Sequence, residues 1–357
     1  MTIYYLILLQ KFKNMTIEQR IKAFVALGNM IRHELTENNE ELETIIIKAK
    51  VHNPWFAPRF TRIAFQSIAD LLTEDGLNAW VNNYEKSYFQ ESKIRVGVIM
   101  AGNIPMVGFH DFLSVLISGK VFKGKLSSQD EHLLPFIADK LIAIEPAFES
   151  KIEFVPHLLK DFDAVIATGS NNSARYFDYY FGKYPHIIRR NRNSVAIIKG
   201  DESKEQLEKL ADDVYLYFGL GCRSVSKVFV PADYSIPHLL DHFQHYMFLH
   251  EHTKYFNNYE YNKSIFLLNK IPHFDNGFHL LTQSDAYASP VSVLHYEEYD
   301  DLEVLERRLM VENEQIQCVV GGDKINISHE KFGNSQYPSL SEYADNVDVI
   351  SFLGGLS

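Results

Sequence analysis

The chain contains 357 residues, of which 46% are hydrophobic and 23% charged, and it carries a net charge of −11. This length predicts two folded units rather than one. The acidic balance argues against a nucleic acid as the main partner, because phosphate groups bind basic surfaces. Two cysteines in a chain of this length exclude a disulfide framework, so we expect a cytoplasmic protein with reduced thiols.

The amino-terminal residues contain the apolar run YYLILL, which is too short to cross a membrane. It also lacks the basic flank and the cleavage site of a signal peptide. A second methionine, Met15, is followed by Thr16 and Gln19, which form a helix-capping pattern. We therefore expect no transmembrane segment, and we expect the natural chain to begin at Met15, with residues 1–14 as an extension.

Helices and strands then follow in an order typical of an α/β protein. The spacing of apolar residues predicts amphipathic helices over 16–48 and 57–90. From residue 95 onwards short apolar strands alternate with helices, which indicates βαβ units and a mostly parallel, doubly wound sheet. The strands predicted in this part are IRVGVIM, VFKGKL, KIEFV and DAVIAT.

A second α/β segment begins near residue 194 with the strand SVAIIKG. It continues through a helix over 202–217, the strand VSKVFVP and a long helical region over 236–262. The last apolar run, VDVISFL, predicts a terminal strand.

The boundary between the two α/β segments is expected near 186–194, without a distinct linker. The C-terminal segment is expected either to return to the first domain or to form an oligomer interface. The expected domains are 15–190, with the N-terminal helices and a nucleotide-binding sheet, 191–323, with the cysteine nucleophile, and the C-terminal segment 324–357.

Cys222 is the leading candidate for a catalytic residue. It lies in the loop GLGCRS, whose glycines let the backbone turn tightly and expose the next side chain. The neighbouring Arg223 favours the nucleophilic thiolate over the thiol. A buried, unreactive cysteine is the alternative. That alternative is our interpretation of Cys318, which lies in the apolar strand IQCVV.

Two strand ends carry further candidates, and ligands of doubly wound sheets bind at such ends. Asn103 follows the strand IRVGVIM, and its amide either donates to an oxyanion or caps the next helix. Thr168, Gly169 and Ser170 follow the strand DAVIAT. They open a helix whose N–H groups suit a pyrophosphate, although a Gly-Ser cap is also a common structural feature.

A third strand end carries Lys125, followed by Ser127 and Ser128. Lys125 is either an ordinary exposed lysine or a ligand of an adenosine ribose or its phosphate. The basic stretch RRNRN is either a solvated surface turn or a phosphate clamp. Its arginines are Arg189, Arg190 and Arg192.

Three histidines share one face of the predicted helical region, at His238, His242 and His245. Histidines at this spacing can bind a metal. The HExxH pattern is absent and the helix also carries apolar residues, so we interpret it as a solvated amphipathic helix and expect no metal.

Taken in chain order, GNIP, GKLSS, ATGS and GLGCRS resemble the successive motifs of the aldehyde dehydrogenase superfamily. The later ASPVSVLHYEEYDDLE resembles that superfamily's glycine-proline-valine strand and the helix after it. Within the superfamily, MAGNIPMVGFHDFLSVLISGK and GLGCRSVSKVFVP are similar to the long-chain acyl-CoA reductase (LuxC) family. The resemblance covers about residues 16–357.

The resemblance implies an aldehyde dehydrogenase-like α/β fold with a Rossmann-type cofactor domain and an α/β catalytic domain. It implies that Cys222 is the nucleophile, Asn103 the oxyanion donor, Lys125 the ribose ligand and Ser170 the serine beside the pyrophosphate. It further implies a homo-oligomer that takes acyl-CoA or an acyl-protein as substrate and works with an acyl-transferase or synthetase partner.

Three departures from the superfamily refine these expectations. Hydrolytic members carry a glutamate base where this chain reads RRNRNS, so a thiol such as coenzyme A is a more natural acyl partner than water. Ser128 stands where an acid often repels a 2′-phosphate, which permits NADPH and makes NADH the less expected cofactor. Ala286, next to Asp285, replaces the acid expected to hold the nicotinamide ribose.

The expected function is NADPH-dependent reduction of a fatty acyl thioester to the aldehyde through an acyl-cysteine at Cys222. One alternative is an acyltransferase or thioesterase that uses Cys222 without a cofactor, and a lack of nicotinamide binding would favour it. The other alternative is a non-catalytic scaffold subunit of an acyl-activating complex, which an unreactive Cys222 would favour.

Overall fold

A computed structural model describes residues 14–356, in two compact units. The first unit runs to Arg190 and resumes at Ser339, and the second unit is Asn191–Pro338. Residues 324–338, which the sequence assigned to the C-terminal segment, lie in the second unit. The expectation that residues 1–14 precede the natural start lies outside the described residues, apart from Asn14.

The first unit begins with four helices and then forms a five-stranded sheet. The sheet is parallel throughout, in the order β3-β2-β1-β4-β5. Its helices are α1 Ile17–Thr36, α2 Glu40–His52, α3 Pro58–Leu71, α4 Glu74–Val81, α5 Phe109–Ile117, α6 Leu133–Ile144 and α7 Asn171–Phe181. Its strands are β1 Arg95–Ile99, β2 Val121–Lys125, β3 Ile152–Phe154, β4 Ala164–Thr168 and β5 His186–Arg189.

The second unit contains a six-stranded sheet in the order β11-β6-β7-β10-β9-β8. The two-residue strand β8 pairs antiparallel with β9, and the other pairs are parallel. The strands are β6 Asn193–Ile197, β7 Val225–Pro231, β8 Phe274–Asp275, β9 Leu280–Gln283, β10 Val293–Tyr299 and β11 Ile316–Gly321. The helices are α8 Lys204–Tyr215, α9 Ile236–Asp241, α10 Thr253–Leu268 and α11 Leu302–Val311.

Apolar faces of helices cover both sheets. In the first unit, Leu159, Val165 and Ala167 form a buried cluster. In the second unit, β6, β7 and β11 pack against α11 through a larger cluster. Its buried aliphatic members include Val195, Ile197, Leu305, Leu309 and Ile316. Parallel strands that are covered on both faces explain the continuous apolar runs seen in the sequence.

The predicted helices over 16–48 and 57–90 are each divided, into α1 and α2 and into α3 and α4, and two later predictions were also wrong. The run VDVISFL forms helix α12, Val349–Gly354, rather than a strand, because Asp348 accepts a hydrogen bond from the Ser351 N–H at 2.9 Å and so caps a helix. The predicted long helix over 236–262 is interrupted by a 3-10 segment, Gln244–Glu251, before α10 begins. There the His252 side chain accepts a hydrogen bond from the Tyr255 N–H and starts a new helix.

Candidate active site

The nucleophile turn, defined here as residues 221–224, presents Cys222 at the surface. The Ser224 N–H donates to the Gly221 carbonyl at 3.0 Å, and the Gly221 N–H donates to the Ser224 hydroxyl at 3.2 Å. Cys222 occupies a corner of this closed turn and is exposed, whereas Ser224 is buried. The turn therefore holds its two ends rigidly and leaves the thiol accessible, as a nucleophile requires.

The backbone before this turn has an unusual conformation. Tyr217, Phe218 and Gly219 have φ values of 54°, 59° and 72°, so three successive residues are left-handed. The sequence predicted that glycine would provide this freedom, but two buried aromatic residues adopt it as well. Bulky residues rarely adopt this conformation, and such strain concentrates at functional sites. The Phe218 ring stabilises it by packing 4.3 Å from the His252 ring.

A buried carboxylate holds the segment that packs against the nucleophile turn. Asp213 is fully buried at the end of α8 and accepts hydrogen bonds from the N–H groups of Gly333 at 2.7 Å and Ser335 at 2.9 Å. Burial raises its pKa to about 6, against the effect of these two donors. We call residues 333–336 the brace.

The brace contacts both residues that follow Cys222. The Arg223 guanidinium donates to the Ser335 carbonyl at 3.5 Å, and the Gln336 amide donates to the Ser224 hydroxyl at 3.2 Å. The loop-like stretch after residue 324 gave no sign of this role in the sequence. The buried Asp213 in a helix of otherwise ordinary pattern was the only available signal.

In the first unit, three loops leave the sheet at its carboxyl edge. They follow β1, β2 and β4, which are adjacent in the sheet, with β1 in the centre. The structure therefore brings the loops of Asn103, of Lys125 to Ser128, and of Thr168 to Ser170 to one edge. The sequence predicted this arrangement, which is the usual ligand-binding edge of such sheets.

The Asn103 loop is held by a second buried carboxylate. Asp130 accepts hydrogen bonds from the N–H groups of Met106 at 2.8 Å and Leu133 at 3.4 Å, and burial raises its pKa to about 6. Asn103 itself is exposed. The alternative that Asn103 caps the next helix is wrong, because α5 begins at Phe109.

The loop after β2 packs tightly against the Asn103 loop. A Cβ atom on Gly102 would lie 2.6 Å from the Ser127 hydroxyl, so only glycine fits at this position. Ser127 also accepts a hydrogen bond from the Gln129 N–H at 3.2 Å. The exposed Ser128 is held through its carbonyl, which accepts a hydrogen bond from His52 at 2.6 Å. This hydrogen bond uses the Ser128 backbone and leaves its side chain out of the contact.

The loop after β4 ends in a capped helix. Ser170 is the N-cap of α7, and its hydroxyl accepts a hydrogen bond from the Ser173 N–H at 3.2 Å. Ser170 therefore acts as a helix cap, which was the structural alternative to pyrophosphate binding. It is compatible with anion binding, because a capped helix still presents its other N–H groups and the positive end of its dipole.

The three arginines of the basic stretch RRNRN have different surroundings. Arg189 is buried and forms a bidentate ion pair with Asp111, in which Nη1 and Nη2 donate to the two carboxylate oxygens at 2.5 and 2.8 Å. Arg190 is exposed and pairs with Asp178 at 2.9 Å. Arg192, in the second unit, donates to the Asn313 carbonyl at 3.3 Å. Both predicted alternatives are wrong for Arg189, which lies neither in a solvated turn nor in an open phosphate clamp.

The nicotinamide-ribose position expected at Ala286 has no carboxylate of its own. The Asp285 carbonyl accepts a hydrogen bond from the buried Lys227 ammonium at 2.8 Å, and Ala286 follows at the surface. The nearby Glu297 is already paired, with both Lys227 and Arg308. Glu297 is therefore not a replacement for the missing acid.

The described part of the chain contains no group of three or more histidine, cysteine, aspartate or glutamate side chains arranged to hold a metal ion. His238 and His242 contact each other edge to face, with ring centroids 4.8 Å apart. Within residues 14–356, every helix is too short or too polar to cross a membrane.

Comparison with known proteins agrees with this geometry. A model of the family described as acyl-CoA reductase (LuxC) matches residues 69–242, which include both Asn103 and the nucleophile turn. The match agrees with the resemblance seen in the motifs, and it supports an oxidoreductase that acts on acyl or aldehyde groups. Comparison with curated protein sequences gives no match.

Solved structures confirm the aldehyde dehydrogenase-like fold. A putative aldehyde dehydrogenase from Burkholderia cenocepacia is 15% identical, with a TM-score of 0.63 over 86% of this chain and 74% of that one. Aldehyde dehydrogenase 21 from Physcomitrella patens is 11% identical, with a TM-score of 0.66 over 94% and 84%. A betaine aldehyde dehydrogenase from Staphylococcus aureus, solved with NAD+, is 12% identical, with a TM-score of 0.60 over 87% and 71%.

Proposed function

We propose that this LuxC-family protein reduces a fatty acyl thioester to the aldehyde with NADPH, through a covalent acyl-enzyme at Cys222. The observation that carries the proposal is the exposed thiol on a braced turn, inside the segment that matches an acyl-CoA reductase family. A thiol in this setting serves nucleophilic chemistry better than packing, because a structural cysteine is normally buried.

In the proposed reaction, the Cys222 thiolate attacks the thioester carbonyl. The oxyanion that forms accepts hydrogen bonds from the Asn103 amide and from a backbone N–H of the nucleophile turn. Collapse of this intermediate expels the thiol of the donor, either coenzyme A or an acyl-protein, and leaves the acyl group on sulfur. Reduction of the acyl-cysteine then gives a thiohemiacetal, which releases the aldehyde and restores the thiol.

The carboxyl edge of the first sheet fits a nicotinamide dinucleotide. The α7 N-terminus with Thr168, Gly169 and Ser170 would hold the pyrophosphate, and Lys125 with Ser127 and Ser128 would hold the adenosine ribose. The exposed hydroxyl of Ser128 brings no negative charge to this position, so a 2′-phosphate is tolerated and NADPH is favoured over NADH. The bound cofactor supplies the hydride.

The acyl group should pass to a thiol far more readily than to water. The stretch RRNRNS offers no carboxylate to activate water, and its first arginine is occupied by Asp111. Homo-oligomer formation and an acyl-transferase or synthetase partner stay predictions of the family resemblance.

The test is NADPH oxidation by the purified protein with a series of acyl-CoA thioesters, repeated with Cys222→Ala. We expect turnover by the wild type and none by the variant, which should still bind NADPH. Full turnover by Cys222→Ala would contradict the proposal. Failure of the wild type to bind any nicotinamide would favour the cofactor-free acyltransferase or thioesterase instead.

A further inference from the structure

A buried serine and a half-buried cysteine lie next to the nucleophile turn. Ser194, on strand β6, is completely buried, and β6 lies between β7 and the edge strand β11. Its hydroxyl donates to the backbone carbonyl of Cys222 at 2.9 Å. The Sγ atom of Cys318, on β11, lies 3.1 Å from the same hydroxyl. Ser194 therefore connects the two cysteines of the chain.

The number of protons available fixes the direction of the two hydrogen bonds that Ser194 makes. A serine hydroxyl has one proton to donate, and a carbonyl oxygen can only accept. Since the Ser194 proton goes to the Cys222 carbonyl, the contact with Cys318 requires the thiol to donate to the hydroxyl. The thiol must then be protonated, which agrees with burial, because burial raises the pKa of Cys318 to about 12.

The hydrogen bonds of Ser194 and Cys318 hold a different part of the turn from the two sets of contacts described above. The hydrogen bonds between Gly221 and Ser224 close the ends of the turn, and the brace binds the side chains of Arg223 and Ser224. The peptide plane between Cys222 and Arg223 contains the carbonyl that Ser194 binds. Fixing this plane fixes the backbone conformation of Cys222, and with it the direction of the thiol.

We propose that Ser194 and Cys318 are positioning residues for the nucleophile, acting through the relay S–H to O–H to the Cys222 carbonyl. This inference rests on the proposed role of Cys222 as nucleophile. A misplacement of about 1 Å at a reacting group costs on the order of 10²-fold in rate, so loss of the relay should slow acyl transfer. It should affect a small alkylating reagent much less, since alkylation requires no oxyanion site.

The experiment measures acylation of Cys222 without any cofactor. A p-nitrophenyl ester of a medium-chain fatty acid is mixed with the full-length protein, and the first release of nitrophenolate gives the acylation rate. Alkylation of Cys222 by iodoacetamide is measured in parallel by peptide mass spectrometry, which separates Cys222 from Cys318. The variants are Ser194→Ala, Cys318→Ala and Cys318→Ser.

We expect Ser194→Ala to slow acylation by about 10- to 100-fold, with the alkylation rate within about threefold of the wild type. Cys318→Ala should slow acylation by a smaller factor, about three- to tenfold, since the serine keeps its bond to the carbonyl. Cys318→Ser retains a donor and should restore most of the rate. Ser118→Ala is the matched control, because Ser118 is also fully buried and donates to a carbonyl, that of Val115, in the first unit.

Several results would overturn the positioning role. One is acylation of Ser194→Ala within about twofold of the wild type, and another is an equal loss in Cys318→Ser and Cys318→Ala. A parallel fall of acylation and alkylation would show general damage to the fold. If the wild type is acylated by the ester but never oxidises NADPH with acyl-CoA, the proposed reductase function fails while this inference stands. A wild type that is not acylated at Cys222 would refute both.

Discussion

Each unit contains a buried carboxylate that accepts two backbone N–H groups beside a candidate site loop, but the two carboxylates differ in how far along the chain they reach. Asp130 binds Met106, 24 residues away, at the same edge of the first sheet. Asp213 binds Gly333, which is 120 residues away. The Asn103 loop is thus held by a carboxylate from nearby in the chain, whereas the nucleophile turn depends on a segment that is synthesised much later.

This difference has a consequence for function. Loops held by local contacts form as soon as the parallel sheet forms, since the strands themselves place them at one edge. The side chains of Arg223 and Ser224 gain their contacts with the brace only when residues 333–336 are in place. Preorganisation of the nucleophile turn therefore includes a long-range contribution within the second unit, whereas Asp130 holds the Asn103 loop over a short stretch of chain.

The largest expected effect on stability concerns the first unit and its buried ion pair. Arg189→Ala leaves the Asp111 carboxylate buried without its partner, which should lower the free energy of unfolding by about 3–5 kcal/mol. Arg190→Ala is the matched control and should change it by less than about 1 kcal/mol, because its pair with Asp178 is exposed. Urea denaturation measures both, and equal effects would contradict a structural role for Arg189.

A second prediction tests whether the carboxyl edge of the first unit takes part in chemistry at all. Asn103→Ala should lower kcat for acyl-CoA reduction by about 10²–10³-fold, since it removes one oxyanion donor. Binding of NADPH, followed by fluorescence, should stay within about threefold of the wild type. If kcat is unchanged, Asn103 is not the oxyanion donor.

Exchange of the two carboxylates for amides tests the comparison itself. Asp213→Asn places an amide N–H against one of the N–H donors and should loosen the brace, so we expect slower acylation of Cys222, by about tenfold. Asp130→Asn should leave cofactor-free alkylation of Cys222 by iodoacetamide unchanged, because its contacts are all in the first unit. Unchanged acylation in Asp213→Asn, or a loss of alkylation in Asp130→Asn, would break the comparison.

The Asp213→Asn variant also tests how stability depends on pH. Burial raises the pKa of Asp213 from its ordinary value of 3.8 to about 6. A raised pKa means that folding favours the protonated form, so this contribution to stability is complete below the ordinary value and is lost as the pH rises through about 6. The stability of the wild type relative to Asp213→Asn should therefore fall between about pH 4 and pH 7, by about 3 kcal/mol. A difference that is flat with pH, or that grows, would contradict it.

The smallest expected effect concerns cofactor choice at the edge of the first unit. Ser128→Glu adds a negative charge beside the proposed site of the 2′-phosphate. Because the position is exposed, the change should be modest, about a tenfold shift of the kcat/KM ratio from NADPH towards NADH. Ser128→Gln, of similar size but uncharged, should shift the ratio by less than half as much on a logarithmic scale.

The sequence predicted the features that depend on residues close together in the chain. The capping pattern of Thr16 and Gln19, the alternating strands and helices, and the aldehyde dehydrogenase-like fold were all confirmed. The motifs were sufficient for the LuxC family, which the family comparison confirmed. The site residues that the motifs suggested stay predictions. Cys222 and Asn103 are both exposed, on loops that are held by hydrogen bonds from other parts of the chain.

The remaining features depend on partners that are distant in sequence. Nothing near Asp213 indicates that its carboxylate binds residues 333–336, and nothing near Arg189 indicates a partner at Asp111. The left-handed Tyr217 and Phe218 run against the ordinary preference of aromatic residues, so no propensity predicts them. Helix α12 was missed for a different reason, since a six-residue apolar run fits a strand and a short helix equally well until Asp348 is recognised as its cap.

The most direct test of the proposed role of Cys222 is intact-protein mass spectrometry after mixing with a long-chain acyl-CoA in the absence of nicotinamide. We predict a mass increase of one acyl group on the wild type and on Cys318→Ser, none on Cys222→Ala, and loss of the added mass as aldehyde when NADPH is supplied. Acylation of Cys222→Ala, or a stable acyl group on Cys222 that NADPH never removes, would contradict the account.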